Sequence, residues 1–323
     1  MIGIFKNNLF INSLLLLPYI IILRVKSLLS PAGYSVIEED TFLVKSLFEW
    51  ISSPLLQSIL AILLIYVHTV YINRLVIKHR LAPQITLLPG LVYAVLVSMM
   101  PEFTPLSPHL LANSVILIVI GQLFKIYKSP KVADNIFNVG FWIGVASLLV
   151  PNYIYLIIIG LFSIFILRSV KRKELVQLFS GLFTLFFIVV GSMYIYDMPI
   201  LEEASKMNFS PHLSIFSIRG VEIYKFAGWA LLAVFAVVNY NTYTLKKSIQ
   251  AQKKINILFW FLFGSAVLLL LVSDVVAFNA LLACIPLAIF INVNLINTKN
   301  PLIQELIHVL FLILLFSLNF GMI

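Results

Sequence analysis

Charged residues are scarce in this sequence. Asp, Glu, Lys and Arg together make up 11% of the 323 residues, whereas a soluble domain carries about 25%. Hydrophobic residues make up 61%, and apolar runs of about 17 to 25 residues, long enough to cross a hydrocarbon core of about 30 Å, recur along the chain. The composition excludes a water-soluble globular protein. It predicts an all-α, polytopic transmembrane helical bundle, with residues 1–323 forming a single integral membrane domain.

Several kinds of reactive group are also missing. The single cysteine, Cys284, lies in an apolar run and is expected to be a small buried residue. The sequence contains no P-loop, GxSxG, HExxH or CxxC motif, so no cofactor site is visible. No Asp, Glu, Lys or Arg lies at the middle of a predicted span, which disfavours a proton relay. His68 does lie well inside a span. We expect it to be a neutral histidine bonded to a neighbouring helix, and a functional group is the alternative.

About eleven apolar stretches qualify as spans. They cover residues 9–23, 54–72, 84–100, 109–125, 136–150, 153–168, 176–196, 226–244, 256–272, 276–293 and 303–320. The fifth and sixth are interrupted by Val150-Pro151-Asn152 and are alternatively one re-entrant hairpin. The first span is followed by Arg24, Val25 and Lys26 rather than by a small-residue cleavage site. We therefore expect a retained helix and not a signal peptide.

The basic residues indicate the orientation of these spans. With the N-terminus inside, 16 of the 22 Lys and Arg residues fall in inner segments and six fall in outer ones. The positive-inside rule then predicts an N-in, C-out protein of the bacterial inner membrane. Ten of the thirteen acids fall on the outer side. The basic residues form short clusters between spans, which suit anionic lipid headgroups, and no nucleic-acid partner is expected.

Two predicted outer loops, about residues 24–53 and 197–225, are long enough to be more than connectors. The first contains the acidic triplet Glu38-Glu39-Asp40. An amphipathic stretch from Thr41 to Ile51 follows it, and we predict that this stretch is a helix lying in the membrane interface. The second loop contributes the polar residues Lys206, His212, Arg219 and Tyr224.

The acidic triplet is the predicted catalytic site. A carboxylate at the outer interface can take a proton from an acceptor group or hold a divalent cation against a phosphate. The alternative is that the triplet caps the interfacial helix, where negative charge offsets the positive end of the helix dipole. In the second loop, Arg219 with Lys206, His212 and Tyr224 form a predicted binding site for a lipid-linked phosphate. Ordinary solvated loop polarity is the alternative there.

The first of two resemblances involves the middle of the chain. Its residues are Asn73-Arg74, Arg80-Leu81, Pro101, Leu110, Asn113 and the run from Asn135 to Leu149. From Asn73 to about Leu175 the chain resembles a family of uncharacterised multi-spanning inner-membrane proteins from Bacteroidetes. Some members of that family are labelled oxygenases, but the histidines of this sequence show no iron-ligand pattern.

The second resemblance involves the beginning of the chain. An N-in first span, an outer loop with paired acids and an interfacial helix are similar to the start of GT-C-type glycosyltransferases. The resemblance implies that Glu39 or Asp40 is the catalytic acid or base. It also implies that Arg219 holds the polyprenyl-phosphate leaving group.

Three functions remain open on this basis. A GT-C-like glycosyltransferase, or an inactive relative, would act on a lipid-linked sugar at the periplasmic face. Its partners would be the bilayer and a polyprenyl-phosphate-linked sugar, and a divalent cation is the one cofactor considered. A non-enzymatic accessory subunit of an envelope assembly would instead dock a membrane or periplasmic protein. A transporter or flippase would need a polar path through the bundle.

Overall fold

A computed structural model describes residues 2–37, 40–127, 129, 132–169, 171–201, 221–245, 247–271, 276–298 and 300–320. Over these residues the protein is all-helical. The helices are α1 (Ile2–Phe5), α2 (Phe10–Leu14), α3 (Leu16–Leu23), α4 (Val25–Leu29), α5 (Phe42–Trp50), α6 (Pro54–His79), α7 (Leu88–Ser98), α8 (Pro108–Ile126), α9 (Ala133–Leu149), α10 (Leu156–Leu167), α11 (Arg172–Ile195), α12 (Val221–Val238), α13 (Tyr240–Thr244), α14 (Ile249–Leu271), α15 (Val276–Asn297) and α16 (Pro301–Phe320). The all-α prediction is confirmed for this part of the chain.

Six helices among the described residues are long and apolar enough to cross a membrane, namely α6, α8, α11, α14, α15 and α16. Shorter apolar helical segments cover Phe10–Leu23, Leu88–Ser98, Ala133–Leu149, Pro151–Leu167 and Ala227–Val238. Each of the eleven predicted spans coincides with one of these long or short segments. A multi-pass membrane protein follows from the six long helices, whereas eleven crossings stay a prediction.

Helix α7 lies at the centre of the bundle, and all eleven of its residues are buried. It packs against α3, α6, α15 and α16. Pro89 in the first turn favours the start of the helix there, because proline's fixed φ suits helix entry and its missing N–H would have no helical partner. Eleven residues rise only about 16 Å, roughly half of a hydrocarbon core. Both ends of α7 therefore lie inside the protein, where their free backbone groups need partners.

The long-range contacts separate two ends of the bundle. At one end, which we call the basic end, Lys254 Nζ lies 2.7 Å from His79 Nδ1, and Lys253 donates to the carbonyl oxygen of Leu167 at 3.1 Å. Arg168 Nε lies 3.4 Å from Glu174 Oε1 at the same end. The opposite end, which we call the Arg24 end, contains the C-terminus of α7 and the first predicted outer loop.

Glycines allow the closest helix pair, α9 and α11, to pack backbone against backbone. A Cβ built on Gly140 of α9 would collide with the carbonyl oxygen of Leu178, and one on Gly181 of α11 would collide with that of Phe137. Gly140 and Gly144 are four residues apart on one face, the small-xxx-small spacing that lets membrane helices approach closely. Helix α11 leaves Phe183 and Phe187 exposed, as expected for a lipid-facing helix at the edge of the bundle.

Candidate functional site

Polar side chains fasten residues 34–51 of the first predicted outer loop to the bundle. Gln57, in the first turn of α6, accepts a hydrogen bond from the N–H of Tyr34 at 2.8 Å and donates one to the carbonyl oxygen of Ile51 at 2.8 Å. Thr41 Oγ1 donates to the carbonyl oxygen of Leu148, at the end of α9, at 2.6 Å. Gln57 and Thr41 are both buried. Because these side chains are shielded from water, breaking either set of hydrogen bonds would leave buried polar groups without partners. The bonds therefore hold the loop against the bundle.

The predicted amphipathic helix is present as α5. Val44 and Phe48 are buried on its inner face, whereas Trp50 is 85% exposed. An exposed tryptophan beside a buried apolar face suits a position at the membrane–water interface. The N-cap of α5 is Thr41, whose side chain accepts a hydrogen bond from the N–H of Val44 at 3.4 Å. The capping role considered for the triplet thus belongs to the residue that follows it.

Asp40 is the member of the acidic triplet that the structure describes. Its Oδ2 accepts hydrogen bonds from the N–H of Ile37 at 2.9 Å and from the Tyr34 hydroxyl at 3.2 Å, and its Oδ1 lies 3.1 Å from the same hydroxyl. The N–H of Asp40 returns a bond to the carbonyl oxygen of Ile37 at 3.1 Å. An aspartate that bonds to nearby backbone in this way shapes a tight turn.

Tyr34 connects this turn to α5. Its ring packs against Phe48, with ring centroids 4.9 Å apart. Burial raises the pKa of the Tyr34 hydroxyl above its usual value, and the Asp40 carboxylate with its hydrogen bond raises the pKa further. The hydroxyl therefore stays protonated over the physiological range and serves as a steady hydrogen-bond donor to Asp40.

Most of the other predicted site residues lie in parts of the chain that the structure does not describe. Glu38, Glu39, Lys206, His212 and Arg219 lie outside the described residues. Tyr224 lies on α12, outside the described side chains. Whether the acidic triplet faces the second loop therefore stays a prediction. In the part of the chain that is described, no group of three or more His, Cys, Asp or Glu side chains could hold a metal ion.

Arg24 forms a buried polar centre at the Arg24 end, whereas the charge pattern of the sequence indicated only an outer positive charge there. Its side chain is 1% exposed. The guanidinium donates to three carbonyl oxygens, those of Val97 at 3.0 Å, Phe103 at 2.7 Å and Thr104 at 2.8 Å, and to Ser98 Oγ at 3.2 Å. A cation at the C-terminus of α7 offsets the negative end of the helix dipole. The signal in the sequence was an arginine directly after an apolar run.

His68 bonds to two neighbouring helices, as the sequence predicted for a histidine inside a span. Its Nδ1 lies 2.9 Å from the Tyr93 hydroxyl on α7, and its Nε2 lies 2.7 Å from Ser114 Oγ on α8. Hydroxyl groups both donate and accept, so a neutral imidazole satisfies both contacts. Both ring nitrogens are used within the bundle, which indicates that His68 ties α6, α7 and α8 together.

Comparison with known proteins adds no relative to this picture. No protein-family model, curated protein or solved structure matches the chain. The resemblances to the Bacteroidetes family and to GT-C-type glycosyltransferases therefore stay predictions, and function has to be inferred from the chain's own residues.

Proposed function

We propose that this protein is an inner-membrane protein with about eleven crossings, N-in and C-out, that acts on a lipid-linked sugar at the periplasmic face. The proposed function is that of a GT-C-like glycosyltransferase; an inactive relative would bind the same lipid-linked sugar without transferring it. The supporting observation is the anchored first loop, in which Thr41 bonds to Leu148 and so holds the end of the acidic triplet against the bundle. A catalytic group needs such a rigid base to keep its geometry.

The grouping of charges supports the proposed orientation. Basic residues assigned to the inside by the positive-inside rule, such as Lys253, Lys254 and Arg168, lie at the basic end. Arg24 and Thr41, assigned to the outside, belong to the opposite end with the C-termini of α7 and α9. Placing the basic end in the cytoplasm agrees with the rule, and the acidic triplet then faces the periplasm.

The hydrogen bonds of Asp40 suggest that the three acids have different roles. Asp40 shapes the turn, because its carboxylate accepts from Tyr34 and Ile37. We assign the chemical role to Glu39, with Glu38 beside it. Glu39 would take the proton of the acceptor as the acceptor attacks the sugar. Arg219 would hold the phosphate of the departing polyprenyl phosphate through charge-assisted hydrogen bonds.

The binding half of this proposal is tested with purified full-length protein and a polyprenyl phosphate. Native mass spectrometry measures how much lipid the protein retains. Arg219→Gln should lower the affinity about 10- to 150-fold, since one charge-assisted hydrogen bond contributes about 1.5–3 kcal/mol. Arg172→Gln, which removes an exposed charge assigned to the inner side, is the control. Equal retention by both variants would remove Arg219 from the site.

A non-enzymatic accessory subunit is the second candidate, and the Asp40 turn favours it. The described hydrogen bonds of Asp40 go to residues of its own loop. Trp50 on α5 is exposed nearby in the sequence. Both features suit a surface that docks a periplasmic or membrane protein. Purification from native membranes tests this candidate. A stable partner that stays bound to wild type and to Glu39→Gln, but not to Trp50→Ala, would support it. Copurification unchanged by Trp50→Ala would remove this surface as the docking site.

A further inference from the structure

A cavity of about 430 Å³ opens at the basic end, the end of the bundle opposite Arg24. It lies between α6, α2 with the segment before it, and the start of α7. Its polar lining residues are Asn8, Ser13, Asn73, Arg74 and Lys78, and Leu87 closes it at the N-terminus of α7. This volume is that of a small ligand site rather than of a single water.

The electrostatic character of the cavity is positive. Arg74 and Lys78 are four residues apart on α6, so they lie on the same face one turn apart. No Asp or Glu is among the described residues that line the cavity. Two cations without a neighbouring carboxylate in the lining favour the binding of an anion. The planar guanidinium of Arg74 suits the oxygens of a phosphate.

The N-terminus of α7 adds to this field. The helix has eleven residues and begins at Leu88, next to the cavity residue Leu87. At this end Pro89 has no N–H and the N–H of Gly90 is bonded to Asn73, so α7 contributes the positive end of its dipole rather than a row of free donors. Because α7 is buried along its whole length, water screens this end less than it would an exposed helix.

Asn73 supplies a hydrogen-bond donor without a partner at the same place. Its Oδ1 accepts from the N–H of Gly90 at 2.7 Å, and this bond fixes which side-chain atom is the oxygen. Its Nδ2 is buried and has no hydrogen-bond partner among the described residues, although only 3% of Asn73 is exposed. Leaving a buried donor unpaired costs about 1–3 kcal/mol, and a ligand could accept from Nδ2 only after a small shift of the Asn73 side chain.

We propose that this cavity is a binding site for a phosphate group, with Arg74 and Lys78 pairing with its charge. The phosphate is either the headgroup of an anionic lipid or a free anion. The exposed apolar side chains of Phe10, Ile11 and Leu14 on α2 flank the cavity residue Ser13 and would contact the acyl chains of a lipid. Basic sites between membrane helices on the inner side suit lipid phosphates. This inference goes beyond the proposed outer-face function and does not depend on it.

The experiment compares lipids and variants in purified full-length protein. Detergent-solubilised protein is mixed with phosphatidylglycerol, with phosphatidylcholine or with inorganic phosphate. Bound lipid is counted by native mass spectrometry, and the thermal midpoint is followed by intrinsic fluorescence. The test variant is the double substitution Arg74→Gln and Lys78→Gln. The control is Lys125→Gln and Lys171→Gln, which removes the same charge from exposed positions at the basic end that do not line the cavity.

The expected result is that wild type and control retain phosphatidylglycerol at least about tenfold better than the test variant, since each cation near a lipid phosphate contributes about 1 kcal/mol. Preference for phosphatidylglycerol over phosphatidylcholine assigns the site to a lipid headgroup. Stabilisation of wild type by inorganic phosphate, without lipid preference and lost in the test variant, assigns it to a free anion. Equal behaviour of the test and control variants in all three mixtures would overturn the proposal. Because the variants leave Glu39 and Arg219 intact, failure here is distinguishable from failure of the proposed function.

Discussion

Arg24 donates a hydrogen bond to the carbonyl oxygen of Phe103 at 2.7 Å, joining two residues 79 positions apart in the sequence. The same guanidinium bonds to Val97 and Thr104, so one side chain serves the C-terminus of α7 and the 3₁₀ turn Pro101–Phe103 that follows it. Asn319 of α16 donates to the carbonyl oxygen of Ser98 at 3.0 Å. At the other end of α7, Asn73 accepts from Gly90. A short buried helix is thus satisfied at both ends by side chains of its neighbours.

Arg24→Leu should strongly destabilise the protein. It leaves several buried carbonyl oxygens without donors, and each such group costs about 1–3 kcal/mol, so the loss is about 3 kcal/mol or more. Arg24→Lys should lie between wild type and Arg24→Leu, because an ammonium group cannot reproduce the planar fork. The measurement is the fraction of monodisperse protein after heating in detergent. Lys173→Gln, an exposed charge removal, is the control. Wild-type resistance of Arg24→Leu would show that the buried contacts contribute little.

Gly140→Ala should destabilise the pair of α9 and α11. The added Cβ would collide with the carbonyl oxygen of Leu178, so the helices must separate, at a cost of about 1–3 kcal/mol. Gly191→Ala on α11 is the matched control, since its Cβ would meet nothing within 4 Å. Alanine at that position should be neutral or stabilising through helix propensity. Thermal unfolding in detergent distinguishes the two, and equal midpoints would mean that the glycines are not close-packing sites.

His68→Phe should cost about 1–3 kcal/mol, because it leaves the hydroxyl groups of Tyr93 and Ser114 without their shared partner. A double-mutant cycle with Tyr93→Phe should give a coupling of about 1 kcal/mol, as expected for directly bonded residues. The opposite result would be a His68→Phe protein that loses activity but keeps the thermal stability of wild type, with a coupling to Tyr93 near zero. That result would assign His68 to the reaction instead of to helix packing.

Tyr34 makes the first loop sensitive to alkaline pH. Burial and Asp40 raise the pKa of this hydroxyl in the folded loop, whereas in an opened loop it titrates near its ordinary value of 10.0. A raised folded pKa stabilises the loop fully below that ordinary value, and the stabilisation declines as pH rises beyond it. Amide hydrogen exchange at Asp40 and Val44, corrected for intrinsic rates, should therefore increase above pH 10 in wild type. Tyr34→Phe should show no such step, and a step of equal size would assign the titration to another group.

The sequence predicted those features that follow from local pattern. Apolar runs predicted the helices, and the alternation of apolar and charged residues predicted α5. The position of His68 inside a span predicted a hydrogen bond to a neighbouring helix, without indicating which one. Features made by distant residues were missed. Arg24 finds carbonyl groups more than 70 positions away, and Asn73 bonds to Gly90 across a turn that sequence pattern does not define. The role of Asp40 in its own turn was also missed, because a run of three acids gives no indication of which one bonds to the backbone.

The division of roles within the acidic triplet gives a prediction about Asp40. Asp40→Asn keeps the shape of the side chain but weakens its bonds to Tyr34 and Ile37. We expect a loss of about 1 kcal/mol in stability, the contribution of an ordinary hydrogen bond. Chemical denaturation in detergent measures this loss of unfolding free energy. Tyr34→Phe should give a similar loss. Asp40→Asn introduced into the Tyr34→Phe protein should then cause a smaller loss than it does in wild type. Full additivity would mean that the two side chains do not act together.

Sugar transfer by purified protein in proteoliposomes, supplied with a radiolabelled polyprenyl-phosphate hexose and with membrane and periplasmic fractions as the source of acceptor, tests the proposed function most directly. With wild type, label should pass to a membrane or periplasmic acceptor. Glu39→Gln should reduce the rate about 100-fold or more, the usual contribution of a general base. Asp40→Asn, adjacent in sequence and equal in charge change, should retain most of the rate. Absence of transfer by wild type would contradict the proposed transferase activity and leave only the inactive relative, and full transfer by Glu39→Gln would contradict the role assigned to Glu39.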